Sequence, residues 1–131
     1  MNKKISSSSF LFLFAGIVAI AIVILAVVNS NPSVGAESFA ECLTEKGAKM
    51  YGTWWCGHCR QQKELFGAAF SKINYIECSP EGSQEMLQEC RDAGIEGYPT
   101  WKFEDGSHLG GARSFEDLAE KTGCEILNDE E

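Results

Sequence analysis

The pattern of hydrophobic and polar positions divides the chain into two parts. Phe10–Val28 is a run of 19 residues without a charged side chain, and as a helix it would be roughly 28 Å long, close to the hydrocarbon thickness of a bilayer. Secretory signal peptides usually have a shorter apolar region. We therefore expect a transmembrane anchor at residues 10–28, with a cytoplasmic n-region at residues 1–9 and a linker at residues 29–36.

A signal peptide, cleaved or uncleaved, is the alternative, because Val34-Gly35-Ala36 resembles a small-residue cleavage site. Both interpretations predict the same topology, since Lys3 and Lys4 precede the apolar run and stay on the cytoplasmic side. A buried core helix is a third interpretation, and it leaves the two lysines unexplained. We expect residues 37–131 to form a domain in an extracytoplasmic compartment, namely a periplasm, a lumen or the cell exterior.

The second part of the chain shows helical and strand periodicities in alternation. The predicted elements are, in order, a helix opened by a capping box at Ser38 and Glu41 and ended by Gly47, a strand at 48–54, a helix from Cys56 to about Ala69, a strand at 73–77, a helix at 83–93, a hairpin at 98–111 turning at Asp105-Gly106, and a helix from Ser114 to Gly123. This order predicts an α/β fold whose mixed sheet has helices on both faces.

Charge and cysteine content narrow the possible functions of this domain. All 19 acidic residues but only nine of the 11 basic ones follow Ala36, so its net charge is −10, which argues against nucleic acid as a partner. All six cysteines also lie there. An even number of cysteines in an oxidising compartment favours disulfides, whose pairing the sequence alone leaves open.

The chemistry centres on Cys56-Gly57-His58-Cys59, which is preceded by two tryptophans. Cys56 is predicted at a helix N-terminus, where unpaired N–H groups favour a negative charge and hence a nucleophilic thiolate. A protonated His58 would add positive charge, and stabilising the reduced form makes the disulfide a better oxidant. Cys59, one turn later, would be the more buried, resolving thiol.

Two other functions of the CxxC motif are less favoured. A four-ligand zinc site needs a second close pair of ligands, yet Cys78 and Cys90 are twelve residues apart in the sequence. A purely structural disulfide across two residues closes too short a loop to add much stability. Pro99 of Gly97-Tyr98-Pro99-Thr100 either begins an edge strand or forms a cis-proline turn that faces the dithiol.

These residues carry a family resemblance. WCGHC at the start of a helix and YPT before the hairpin resemble the thioredoxin superfamily, and CGHC is typical of protein disulfide isomerases. A closer match covers nearly the whole domain: FAECLTEKGAKMYGTWWCGHCRQQKELFG, INYIECSP and AGIEGYPTWKF resemble the thioredoxin-like domain associated with bacterial homologues of vitamin K epoxide reductase. The implied fold is thioredoxin-like, a mixed central sheet flanked by helices and preceded here by the transmembrane helix.

The resemblance assigns roles to individual residues. It implies Cys56 as nucleophile, Cys59 as its partner and a cis-Pro99 that docks substrate backbone, with Gly57, His58, Trp55 and Tyr98 modulating the site. It also implies a structural Cys78–Cys90 disulfide, which leaves Cys42 with Cys124. No metal and no cofactor beyond the Cys56–Cys59 disulfide are expected.

The expected function is that of a membrane-tethered thiol–disulfide oxidoreductase, of oxidase or isomerase type, that acts on exported cysteine-containing proteins. A separate quinone-linked membrane oxidase, resembling vitamin K epoxide reductase, would re-oxidise it. One departure from the family weakens the reductive direction: the buried acid expected six residues before Cys56 is Met50. The alternatives are an extracytoplasmic reductase for the maturation of cytochrome c or metal sites, and a non-catalytic metal-binding module.

Overall fold

The computed structural model describes residues 7–29 and 34–127, and side chains at 11–24 and 35–127. Its helices and strands are α1 (Ser7–Asn29), α2 (Val34–Glu45), β1 (Lys49–Gly52), α3 (Gly57–Phe66), a 3₁₀ helix (Gly67–Lys72), β2 (Tyr75–Glu77), α4 (Gln88–Asp92), β3 (Thr100–Lys102), β4 (His108–Gly110) and α5 (Phe115–Thr122). The chain forms two units, residues 1–31 and 32–131.

The predicted transmembrane anchor at residues 10–28 is corrected by the structure. In the ranges that the structure describes, no helix combines the length and the apolar character that crossing a membrane requires. The predicted n-region 1–9, the linker 29–36 and the end of the 37–131 domain lie partly outside the described residues.

The second unit is built on a four-stranded sheet in the order β2-β1-β3-β4. β1 runs parallel to β2 and antiparallel to β3, and β3 and β4 form an antiparallel hairpin. The sheet is therefore mixed, as the alternation of predicted strands and helices implies. The hairpin turns at the predicted position, where the backbone N–H of Ser107 donates to Asp105 Oδ1 and Gly106 has φ = 80°.

Apolar side chains pack on both faces of this sheet. Alternate residues of a strand point to opposite faces, so Met50 enters the larger cluster while Tyr51 enters a smaller one. The larger cluster brings together α2, α3, β3 and α5 through, among others, Phe39, Phe66, Trp101 and Leu118. The smaller cluster packs Tyr51 with Ile95 and the Cys78–Cys90 pair. The central strand β1 therefore lies between two packed layers, and its end leads directly into the CGHC segment.

Several predicted element boundaries are wrong. The helix predicted at 83–93 is only Gln88–Asp92, because Leu87 is extended (ψ = 148°) and its N–H donates to the Cys78 carbonyl at 2.8 Å. The helix predicted to reach Ala69 ends at Phe66, where Gly67 adopts φ = 54° and a 3₁₀ helix follows. The capping box predicted at Ser38 is wrong, because α2 begins at Val34 and Ser38 lies inside the helix. The last helix begins after Ser114 as predicted, with a capping box between Ser114 and Asp117, and ends at Gly123 in the left-handed conformation.

Candidate active site

Cys56 occupies the N-cap position of α3. Its backbone is extended (φ = −79°, ψ = 120°), and its Sγ accepts a hydrogen bond from the N–H of Cys59 at 3.3 Å. Cys56 is half-buried, whereas Cys59 is buried, with 1% of its surface exposed. The helix start therefore presents one sulfur to solvent and keeps the second behind it, the arrangement that an attacking and a resolving thiol require.

The loop before β3 faces this dithiol. The Tyr98–Pro99 peptide bond is cis, and Cys56 Sγ donates to the Tyr98 carbonyl oxygen at 3.6 Å. Two hydrogen bonds hold the loop: Thr100 Oγ1 donates to the Gly97 carbonyl, and the Gly111 N–H donates to the Pro99 carbonyl, both at 2.7 Å. The structure thus brings Cys56 together with Tyr98 and Pro99, although Cys56 and Tyr98 are 42 residues apart in the chain.

Two tryptophans form the rim of the site. Trp54 and Trp55 are 51% and 38% exposed, yet the indole of Trp54 donates to the Pro80 carbonyl at 3.1 Å and that of Trp55 to Ser79 Oγ at 3.3 Å. The Trp55 ring also meets Tyr98 edge-on, with centroids 5.9 Å apart. Both indoles are therefore exposed but fixed in orientation.

Gly57 and His58 lie on the exposed first turn of α3. Nδ1 of His58 is 3.0 Å from Gln61 Oε1, so its ring is turned along the helix surface. A Cβ at Gly57 would meet no atom within 4 Å. These two residues thus leave the approach to Cys56 open to a large partner.

The buried thiol of Cys59 resists ionisation. Burial, followed by its hydrogen bond with Cys56 and the nearby Cys56 charge, raises the pKa of Cys59 to about 12, while the Thr53 backbone and Lys63 act in the opposite direction. Cys59 therefore stays protonated at neutral pH in the reduced protein, and it needs a proton acceptor before it can attack.

Two further polar residues, which the sequence did not single out, are hydrogen-bonded to each other, and Tyr75 approaches Gly52 from the same side as Cys59 Sγ. Tyr75 Oη donates to Glu77 Oε2 at 2.8 Å, and Glu77 Oε1 accepts from the backbone N–H groups of Trp54 at 3.1 Å and Ser79 at 3.2 Å. Burial and the bond to Glu77 raise the pKa of Tyr75 well above its usual range. The available signal was their i, i+2 spacing, which places both side chains on one face of a strand.

Four cysteines lie apart from the dithiol and are paired. Disulfides join Cys42 to Cys124 and Cys78 to Cys90. Among the side chains that the structure describes, no three His, Cys, Asp or Glu residues gather where they could hold a metal ion. The fold and the site define the class of an oxidoreductase domain with one dithiol between a helix start and a cis-proline loop.

Comparisons with known proteins agree with this class. No family model matches the chain. Over 103 residues, 76% of its length, the chain is 45% identical to the Thiol-disulfide oxidoreductase LTO1 of Arabidopsis thaliana, and over 74 residues, 51% of its length, it is 31% identical to Thioredoxin domain-containing protein 2 of Mus musculus. The chain spans 27% of the first protein and 14% of the second. These similarities support a place in the thioredoxin superfamily and a general thiol–disulfide oxidoreductase function.

Proposed function

We propose that this protein transfers its Cys56–Cys59 disulfide to cysteine-containing exported proteins. The observation that carries the proposal is the pairing of a solvent-accessible sulfur at the start of α3 with a buried one that stays protonated. The cis-Pro99 loop lies against the accessible sulfur, and its backbone would align a substrate peptide beside Cys56.

The transfer proceeds in two exchanges. A substrate thiolate attacks Cys56 Sγ, the bond between Cys56 and Cys59 breaks, and Cys59 leaves as a thiolate that takes up a proton. A second substrate thiolate then attacks the substrate sulfur of the mixed disulfide and releases Cys56. The substrate dithiol loses two electrons and becomes a disulfide, and the protein gains both electrons as a dithiol.

A separate, quinone-linked membrane oxidase is the proposed source of oxidising equivalents, acting by the same exchange in reverse. The resemblance of the domain to those associated with homologues of vitamin K epoxide reductase supports this partner. The Cys42–Cys124 and Cys78–Cys90 disulfides support an extracytoplasmic location, because disulfides persist mainly in oxidising compartments.

A trapping experiment tests the proposal. Cys59→Ala removes the resolving thiol, so mixed disulfides between Cys56 and its partners should accumulate. Non-reducing electrophoresis and mass spectrometry of the trapped species would name both the substrates and the oxidase. Cys56→Ala is the matched control and should trap nothing.

The direction of transfer is tested with purified protein and a reduced, unfolded substrate. The oxidised wild type should introduce disulfides stoichiometrically, and Cys56→Ala should introduce none. If Cys56→Ala retained activity, the assigned nucleophile would be wrong. If the reduced protein opened substrate disulfides faster than the oxidised protein formed them, the protein would be a reductase instead.

A further inference from the structure

Two polar groups, the Cys59 thiol and the Tyr75 hydroxyl, lie close to Gly52 at the end of β1. The position that a Cβ would take on Gly52 is 3.0 Å from Cys59 Sγ, 3.0 Å from Tyr75 Cε2 and 3.2 Å from Tyr75 Oη. The thiol and the hydroxyl therefore approach the same point on the backbone. The Tyr75 hydroxyl in turn donates to Glu77 Oε2 at 2.8 Å, so the hydroxyl that lies near Cys59 is itself hydrogen-bonded to a carboxylate.

Strand register explains how this chain relates to Met50. Met50 is fully buried and stands where an acid is expected, and its partner on the parallel strand β2 is Tyr75, while Gly52 pairs with Glu77. Directly paired residues of adjacent strands lie side by side on one face of the sheet. β1 therefore lacks the expected acid, but the neighbouring strand β2 carries one, Glu77.

The surroundings of Cys59 change when Cys56 forms a mixed disulfide. The hydrogen bond and the charge of Cys56 both raise the pKa of Cys59, and both are lost once the Cys56 sulfur is bonded to another sulfur. Burial remains and still opposes a free thiolate. The resolving step is thus eased, but it still needs a nearby group to receive the proton.

We propose that Tyr75 and Glu77 together form the proton acceptor for Cys59, an inference that rests on the proposed disulfide exchange. As Cys59 sulfur attacks Cys56 sulfur, its proton passes to Tyr75 Oη and the hydroxyl proton of Tyr75 passes to Glu77 Oε2. The bond between Cys56 and the partner breaks, and the partner leaves as a thiolate. When a substrate thiolate opens the Cys56–Cys59 disulfide, the same protons move in the opposite direction.

The groups facing this relay come from three elements. Lys63 of α3 lies over the Tyr75 ring, with Nζ 3.8 Å from the ring centroid, and its charge favours the Cys59 thiolate. Tyr98 faces the thiol from the cis-proline loop, and Cys59 contributes to raising the pKa of Tyr98. Glu77 is the carboxylate hydrogen-bonded to Tyr75, and it also holds the Trp54 backbone.

The test is a single-turnover reaction of the reduced protein with an aromatic disulfide, followed by absorbance of the released thiolate. Attack by Cys56 releases the first equivalent at a rate that depends on concentration. Attack by Cys59 releases the second at a rate that does not. Tyr75→Phe and Glu77→Gln should slow the second phase about 10- to 100-fold at neutral pH and leave the first within about twofold.

The pH profile separates proton transfer from a structural effect. The second phase of both variants should approach the wild-type rate as the pH rises, because hydroxide then takes the Cys59 proton directly. Tyr75→Phe keeps the ring beneath Lys63, and Glu77→Gln keeps an oxygen for the Trp54 N–H. Matched controls are Tyr51→Phe and Glu89→Gln. Glu89 raises the pKa of Tyr51, so these two residues are also a tyrosine and a carboxylate that interact, but Tyr51 lies in the other apolar cluster.

Each outcome is decisive. If the second phase of both variants keeps the wild-type rate and pH profile, the relay is wrong while disulfide exchange stands. If the control variants slow it equally, the effect is structural and the relay is again wrong. If the wild type releases only one equivalent, Cys59 does not resolve mixed disulfides, and the proposed function fails together with the relay.

Discussion

At the scale of single residues, the two sulfurs of the site have opposite surroundings although they are one helical turn apart. Cys56 lies between the N–H of Cys59 and the carbonyl of Tyr98 and reaches solvent. Cys59 is buried, and its pKa is raised to about 12. The asymmetry means that a partner meets one sulfur only, which supports the proposal that mixed disulfides form at Cys56 and are resolved by Cys59.

The coupling between the two thiols predicts a measurable shift. In Cys56→Ala, the hydrogen bond and the charge that help to raise the pKa of Cys59 are absent, so that pKa should fall below about 12 but remain above that of a free cysteine, because the thiol is still buried. A pH titration of thiolate absorbance would measure it, with the double variant Cys56→Ala/Cys59→Ala as the blank. A pKa that stays unchanged would show that burial alone determines the ionisation of Cys59.

Residue types in a motif were enough to single out Cys56, Cys59 and Pro99 from the sequence. Tyr75 and Glu77 could not be found in that way, because their relation to Cys59 depends on the register of β2 against β1 and not on distance along the chain. The missing acid at Met50 was visible in the sequence, but the proposed replacement on a neighbouring strand was not.

At the scale of elements, the end of β1 determines how closely strand and helix approach. Gly52 leaves room for Cys59 Sγ and the Tyr75 ring, both 3.0 Å from the position of its missing Cβ. Glycine in a strand often marks such a close approach of other atoms to the backbone. The geometry of the dithiol thus depends on a residue that has no side chain.

Gly52→Ala should therefore destabilise the protein by about 1–3 kcal/mol, as overpacking does elsewhere, and displace Tyr75 or Cys59. The matched control is Gly57→Ala, where a Cβ meets nothing within 4 Å and a helix position gains up to about 1 kcal/mol from alanine. Urea unfolding of both variants measures the difference. Equal stability of the two variants would contradict the close approach at Gly52.

Element types were predicted better than element ends. The start of the last helix at Ser114 and the hairpin turn at Asp105-Gly106 depend on local hydrogen bonds, and both occur as predicted. The 83–93 helix was too long because Leu87 donates its N–H to Cys78, a tertiary contact, and local periodicity cannot reveal such a contact.

At the scale of the whole molecule, the two disulfides constrain very different lengths of chain. Cys42–Cys124 spans a sequence separation of 82 residues and ties α2 to the segment after α5, whereas Cys78–Cys90 spans 12. A cross-link stabilises mainly by restricting the unfolded chain, and longer loops gain more. The link between the two ends of the domain should therefore contribute more stability than the local one.

Replacing Cys42 and Cys124 by alanine should lower the free energy of unfolding by about 4–5 kcal/mol, against about 3 kcal/mol for replacing Cys78 and Cys90. Urea unfolding followed by circular dichroism would measure both double variants, and each retains the CGHC motif. If replacing Cys78 and Cys90 lowered the free energy of unfolding more, restriction of the unfolded chain would not be the main source of the stability that the disulfides provide.

The positions of the tryptophans have an optical consequence. Of the chain's three tryptophans, Trp101 is fully buried, while Trp54 and Trp55 directly precede Cys56 with their indoles fixed by hydrogen bonds. Oxidation or reduction of Cys56 therefore changes the surroundings of both Trp54 and Trp55. Ultraviolet emission should therefore follow the redox state of the protein in real time, without any added label.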